Sequence, residues 1–422
     1  MSDPIGWGRP TVASSLGSVS PSWSADLRSV IGNKPLGIVA GGKGHEYEYK
    51  PKTSLWFTDN NTVVATFVTR ERTGTATLSR RDASDELSLL HLRAVFLNAV
   101  SGKIEAAPDW PAKSRFSSIV VAHDGKFVTQ TGDELVLYSP DLKKIATLTL
   151  PSMDGSAWAE QFRLDGHPSP TGRRILFVAG EGSATKWILV DTDSLQILRS
   201  WEEAPLGKVS ISDSGIVSTA CTSWFYKCEP RIEIKGFDTD WKRIVPIDDR
   251  RHPGIVGFVK DDLFFILDRS LRLLRPDGGI VFAENNSLDG CWWGGVVPSA
   301  GGQRFVVPSC KLRGHVASLD LGGYDELRKV LLYDTPFRER SYTLDVNGPR
   351  IKDMAQLALS PDGSKLAVLF EESVYLFPLP PVPPVESPDA DTVSAKTGNL
   401  HTSTPVSPPR ASPAMTRPPR IR

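Results

Sequence analysis

Seven times along this chain a turn signal separates two short apolar runs, and that recurrence constrains the fold more than any single motif. The markers are Asn60-Asn61, Asp124-Gly125, Thr171-Gly172, Asp213 to Gly215, Asp261-Asp262, Gly301-Gly302 and Asp362-Gly363. The central ones recur at roughly 40–50 residues, the length of four short strands and their loops. One unit is legible throughout. Ile119-Val120-Val121 leads into His123-Asp124-Gly125 and then Lys126–Gln130; past Gly132-Asp133 comes Leu135–Tyr138; Ser139-Pro140-Asp141 precedes Ile145–Leu148. Gly supplies positive φ and Pro a preset φ, so these breaks predict four strands joined by three tight turns. Helical periodicity is almost absent. The intervals around the first and sixth units are longer, and Arg70–Ser88 and Lys311–Arg328 are expected as loop insertions.

The last unit is the clearest. Leu357-Ala358-Leu359 runs into Ser360-Pro361-Asp362-Gly363, followed by Lys365–Phe370 and Ser373–Phe377. An apolar strand, Ser-Pro-Asp-Gly and a second apolar strand resemble the repeat of WD40-like and TolB-like β-propellers of the bacterial type. With the repeat count, the resemblance implies an all-β, seven-bladed β-propeller of four-stranded blades. The last blade has only three strands before Pro378. An unpaired outer edge is a liability, so an N-terminal strand is expected to close the ring, and the apolar segment Pro35–Ala40 is the expected donor. The expected layout is a flexible segment over 1–34, the propeller over 35–377 and a disordered proline-rich tail over 378–422. Of the last 45 residues, 12 are proline, and so few apolar groups cannot offset the ordering entropy.

Lys+Arg and Asp+Glu both number 49, giving a net charge of zero. A balanced surface carries no electrostatic footprint for nucleic acid or anionic membrane. No apolar run reaches the ~18 residues of a membrane span. Residues 1–33 lack the apolar core of a secretory signal. The expectation is a monomer that binds neither nucleic acid nor membrane.

Cys221 and Cys228 flank the loop between the second and third strands of the fourth blade. Cys291 and Cys310 bracket the first hairpin of the sixth. Register makes each pair a cross-strand neighbour, and two disulfides are expected, with an extracytoplasmic location if they form and a cytoplasmic one otherwise. No Cys-x-x-Cys or His-Glu-x-x-His spacing exists, so no metal or cofactor is expected. In a propeller, the loops joining blades share one face with the loops between second and third strands. That face collects Trp110, Trp158, Trp224, Tyr226, Arg251, His252, Trp292, Trp293, Arg313 and His315. Flat aromatics with Arg and His donors suit a polar ligand or peptide.

Hydrolase signals are missing. Gly180-Glu181-Gly182-Ser183 is no nucleophile elbow. Gly41-Gly42-Lys43-Gly44-His45 has the wrong spacing for a phosphate loop. Ser212-Asp213-Ser214-Gly215 is like one fragment of a sialidase Asp-box, yet is equally an ordinary turn. The leading expectation is a non-catalytic scaffold presenting one loop face to a protein, peptide or glycan. The alternative is a lactonase-like or glycan-cleaving hydrolase with its site in the central channel. The apolar inner-strand residues Ile119, Val209, Ile211, Val256 and Leu357 favour the former.

Overall fold

The computed structural model describes residues 14–31, 38–42, 45–49, 53–70, 90–113, 117–151, 165–179, 185–203, 208–220, 231–237, 242–246, 255–267, 270–285, 296–312, 325–335, 339–346, 356–370 and 372–382. The chain divides into residues 1–382 and 383–422. All described residues belong to the first unit, and the expected tail lies outside them from Pro383 onward.

The unit read in full folds as expected. Ser118–His123, Lys126–Thr131, Glu134–Tyr138 and Lys144–Thr149 form one antiparallel sheet in chain order, blade two. Blade one runs Ser54–Phe57, Thr62–Arg70, Leu90–Asn98 and Ile104–Ala106, with Asp109–Pro111 continuing along the third strand. Blade three is Asp165–Pro168, Arg174–Ala179, Thr185–Asp191 and Gln196–Glu203. Blade four is Val209–Ile211, Gly215–Ala220, Arg231–Gly236 and Lys242–Pro246; blade five is Ile255–Lys260, Leu263–Leu267, Ser270–Leu274 and Ile280–Asn285. Blade six is Val297–Pro298, Arg304–Leu312, Asp325–Asp334 and Glu339–Val346; blade seven begins with Gln356–Leu359, Lys365–Phe370 and Ser373–Pro378. Each inner strand contacts the next, and the seventh contacts the first, so the sheets close into a ring. The fold is a seven-bladed β-propeller, and Arg28–Ile31 is the only helix among the described residues.

The Ser-Pro-Asp-Gly turn recurs beyond the last blade. Ser169-Pro170-Thr171-Gly172, Ser299-Ala300-Gly301-Gly302 and Ser360-Pro361-Asp362-Gly363 make the same hydrogen bonds. The Gly N–H donates to the Ser carbonyl at 2.9, 2.9 and 2.8 Å. The buried Ser Oγ accepts the N–H of Arg174, Arg304 or Lys365 at 3.2, 3.2 and 2.9 Å. The glycines have φ of 76°, 62° and 69°, the left-handed region that a β-carbon disfavours.

These turns also latch neighbouring blades. Gly125 N–H donates to Thr58 O at 2.8 Å, joining blades two and one. Thr192 Oγ1 lies 3.0 Å from His123 Nε2 between blades three and two. Thr171 Oγ1 donates to Asp213 at 2.8 Å, and Asp213 N–H donates to Asp261 Oδ1 at 2.7 Å. Gly302 approaches blade five so closely that a β-carbon would sit 2.6 Å from Lys260 Cβ. Asp362 N–H donates to Asn60 Oδ1 at 3.0 Å between blades seven and one.

Ring closure differs from expectation in one respect. An N-terminal strand does complete blade seven, but it is Trp23–Asp26, antiparallel to Ser373–Pro378 with Trp23 opposite Leu376. Of Pro35–Ala40, residues 35–37 lie outside the described residues and Ile38–Ala40 lie in Ile38–Gly42, which pairs antiparallel with His45–Tyr49 in a separate sheet. The physical reason is alternation. An outer strand has one covered and one wet face, and Trp-Ser-Ala-Asp alternates half-buried and exposed positions. A run of Pro-Leu-Gly-Ile-Val-Ala does not alternate. Trp23 Nε1 donates to Ala99 O of blade one at 3.2 Å. Leu27 and Ile31, both fully buried, then plug the apolar cluster between blades seven and one.

Two further differences concern blade six. Ser14–Val19 adds a fifth strand, parallel to Glu339–Val346. Part of the expected insertion is strand instead: Cys310, Lys311 and Leu312 pair with Leu327, Glu326 and Asp325, lengthening the hairpin.

Arg304, fully buried, makes the strongest polar tie. It grips Asp334 with Nε to Oδ1 at 2.6 Å and Nη2 to Oδ2 at 3.1 Å. Its Nη1 donates to Gly363 O at 2.8 Å and to Pro380 O at 2.7 Å. One guanidinium thus joins two strands of blade six to the turn of blade seven and to the segment following its last strand. Arg304→Met should lower unfolding free energy in urea by about 3–5 kcal/mol, because the buried Asp334 carboxylate loses both guanidinium hydrogen bonds. Arg304→Met with Asp334→Leu should recover much of that loss. Equal losses in the single and double variants would contradict this account.

Candidate functional site

The two faces of the ring differ. Turns between first and second strands, and between third and fourth, lie on one face and carry the latches described above. Connections between second and third strands, and those between blades, lie on the other. The strands that bracket Trp158, Trp224, Tyr226, Arg251, His252, Trp292, Trp293, Arg313 and His315 all end on this second face. Those residues themselves lie outside the described residues, as do Cys221, Cys228 and Cys291. Cys310 lies in the second strand of blade six with Leu327 opposite. No disulfide occurs among the described residues.

Trp110 belongs to a different class. It is half-buried in Asp109–Pro111, with its ring 6.1 Å from Phe127 and 5.1 Å from Tyr138 of blade two. It wedges two blades together. In the stretch Gly41-Gly42-Lys43-Gly44-His45, Gly41 and Gly42 pair antiparallel with Glu46 and His45 as strand residues, whereas a phosphate loop opens a helix. Asp213 in the Asp-box-like stretch bridges blades three and five, a structural duty.

The seam between blades three and four changes character along its length. Towards the latched face it is apolar: Leu176, Leu189, Ile211, Ile216 and Phe237 pack together, with Trp187 at the edge of the cluster nearer the loop face. Towards the loop face it becomes polar. Thr185 and Glu203 are opposite one another in blade three, and Ser218 and Glu233 in blade four. Glu233, buried, lies 2.9 Å from Arg231 Nε and 2.8 Å from Lys242 Nζ. Lys235 reaches across the seam to Glu203 and stands 3.8 Å from Glu233. Burial alone would push the Glu233 carboxyl up, but hydrogen bonds from Lys242 and Arg231 outweigh it and hold the group below its ordinary value. Burial lowers Lys235, with Lys242 repelling it further.

This polar half-seam was missed at the level of sequence, although a signal exists. Arg231-Ile232-Glu233-Ile234-Lys235 alternates charged and apolar residues. A third strand has a neighbouring blade on each side, so charges alternating there face protein and need partners.

Elsewhere, Ser54 and Thr66 share a buried hydroxyl hydrogen bond at the loop-face end of blade one. Among the described residues, no three His, Cys, Asp or Glu side chains are grouped to hold a metal ion, and no helix is long and apolar enough to cross a membrane.

No family model and no curated protein matches the sequence. Solved structures do. The WD40 domain of Pan2 from Neurospora crassa is similar at 8% identity and a TM-score of 0.45, covering 78% of this chain and 89% of that one. Hydrazine synthase from Kuenenia stuttgartiensis is similar at 11% identity and a TM-score of 0.44, covering 80% and 99%. Hsv2 from Kluyvelomyces marxianus is similar at 10% identity and a TM-score of 0.41, covering 68% and 86%. The propeller assignment rests on this chain's own strand order and ring closure.

Glu233 gives the seam a pH signature. A carboxyl depressed in the folded state contributes stability that is present above its ordinary value of 4.5 and is lost as pH falls through the folded value. Glu233→Gln should flatten the loss of stability between about pH 5 and pH 3, followed by urea unfolding at each pH. A variant as acid-sensitive as the parent would show that the carboxyl is not depressed.

Proposed function

We propose that this propeller is a non-catalytic binding scaffold that presents its loop face to a protein or peptide. The observation that carries the reading is the asymmetry of the two faces. One face is built from tight turns that spend their polar groups on neighbouring blades. The other receives the long connections, and these hold Trp158, Trp224, Tyr226, Arg251, His252, Trp292, Trp293, Arg313 and His315. A ring latched from beneath fixes the strand ends from which those connections leave. Trp, Tyr and Arg are the residue types that most often dominate binding energy in such contacts.

The reading is testable without knowing the ligand. A random peptide library displayed on phage is selected on the full chain. Enriched peptides should bind Trp224→Ala and Trp292→Ala variants about tenfold or more weakly. They should bind normally to Ile145→Ser, which alters an exposed residue on the outer strand of blade two. Peptides that bind all three variants equally would remove the loop face as the binding surface. Enrichment of no peptide, with a glycan array giving specific binders sensitive to the same tryptophans, would keep the face and replace the ligand class.

A further inference from the structure

The loop-face half of the seam between blades three and four holds two buried polar groups without a hydrogen-bond partner: Thr185 Oγ1 and Trp187 Nε1. Thr185 is 3% exposed and Trp187 0%. They stand two residues apart on the third strand of blade three, so they share a side of the sheet. Trp187 packs against Ile211, Ile216 and Phe237 of blade four, so that side faces the seam. Across the seam, Ser218 follows the alternation of Ile216, and Glu233 is its cross-strand neighbour.

An indole N–H can only donate. A buried donor left unsatisfied costs about 1–3 kcal/mol, and two unpartnered groups adjoin here. The carboxylates of the seam are already engaged: Glu233 by Arg231 and Lys242, Glu203 by Lys235 and by Trp201 Nε1 at 3.3 Å. Among the described residues, three cations, Arg231, Lys235 and Lys242, face two carboxylates, Glu203 and Glu233, which leaves one positive charge over. The rim is accessible, since the Glu203 and Lys235 side chains are each 23% exposed. Thr185 opens its strand after residues 180–184, and Arg231 opens its own after residues 221–230, the connection that holds Trp224 and Tyr226.

We propose that this half-seam is a carboxylate subsite: a ligand carboxylate enters from the loop face, accepts hydrogen bonds from Trp187 Nε1–H and Thr185 Oγ1–H, and balances the extra positive charge. The proposal rests on the reading of that face as the ligand face and adds the chemistry of one ligand group. An acidic side chain and a peptide C-terminus both supply it.

The test uses the full chain labelled with ¹⁵N at tryptophan, with the Trp187 indole resonance identified through Trp187→Phe. Sodium acetate should shift that resonance saturably, while sodium chloride at equal ionic strength and neutral acetamide should not. Thr185→Val should weaken the acetate response about tenfold or more. N-acetyl-glutamate amide, bearing only the side-chain carboxylate, and N-acetyl-Gly-Gly, bearing only the C-terminal one, assign the source by which of them shifts Trp187. A Trp187 resonance unmoved by acetate and by both peptides would overturn the proposal and leave a bound water as the partner. Failure here separates from failure of the scaffold reading. Library peptides sensitive to Trp224→Ala that leave Trp187 unmoved would remove the subsite alone. Acetate binding at Trp187 with peptides indifferent to Trp224 and Trp292 would remove the face alone.

Discussion

Burial of Trp23, Leu27 and Ile31 between blades seven and one turns a row of sheets into a ring. A propeller blade cannot bury both of its faces alone; each needs a neighbour on either side. Seven sheets in a row would leave two outer faces and one unfinished blade. The N-terminal strand removes all of these defects together. It supplies the missing outer edge, brings an indole onto blade one and carries two aliphatic side chains into the last seam. The rest of the molecule's rigidity follows, because every other seam then lies between two fixed blades.

The latches reinforce that closure with an economy that also shapes function. The turn residues that separate first and second strands are the same residues that touch the next blade: Asn60, Thr171, Asp213, Asp261, Gly302 and Gly363. The polar groups of these turn residues are engaged in holding the ring. The opposite face receives the longer connections, whose sequences are rich in aromatic and cationic residues.

The two buried ionic groups obey different logic. Arg304 uses four of its five N–H donors, two on the carboxylate oxygens of Asp334 and two on backbone carbonyls, so its burial is largely compensated. The seam of Glu233 is uneven. Its carboxylates are paired, yet a hydroxyl and an indole N–H beside them have no acceptor.

The amino-acid sequence by itself determined the seven repeats and the positions of all seven inner turns. Those depend on local chemistry: period-two apolar runs, Gly at positive φ, Pro and Asp at turn openings. The four strands of blade two emerged in the predicted places for that reason. Tertiary structure alone decided which N-terminal segment closes the ring, because Trp23–Asp26 is short and polar on one side, and its value appears only against Ala99 and Leu376. It alone showed Trp110 to be an inter-blade wedge, and Arg304 to be a clamp between blades brought together by closure. The polar seam of Thr185, Trp187 and Glu233 likewise depends on two strands from different blades meeting face to face. No spacing along one chain records that meeting, since the contact forms across the ring's seams and not within a repeat.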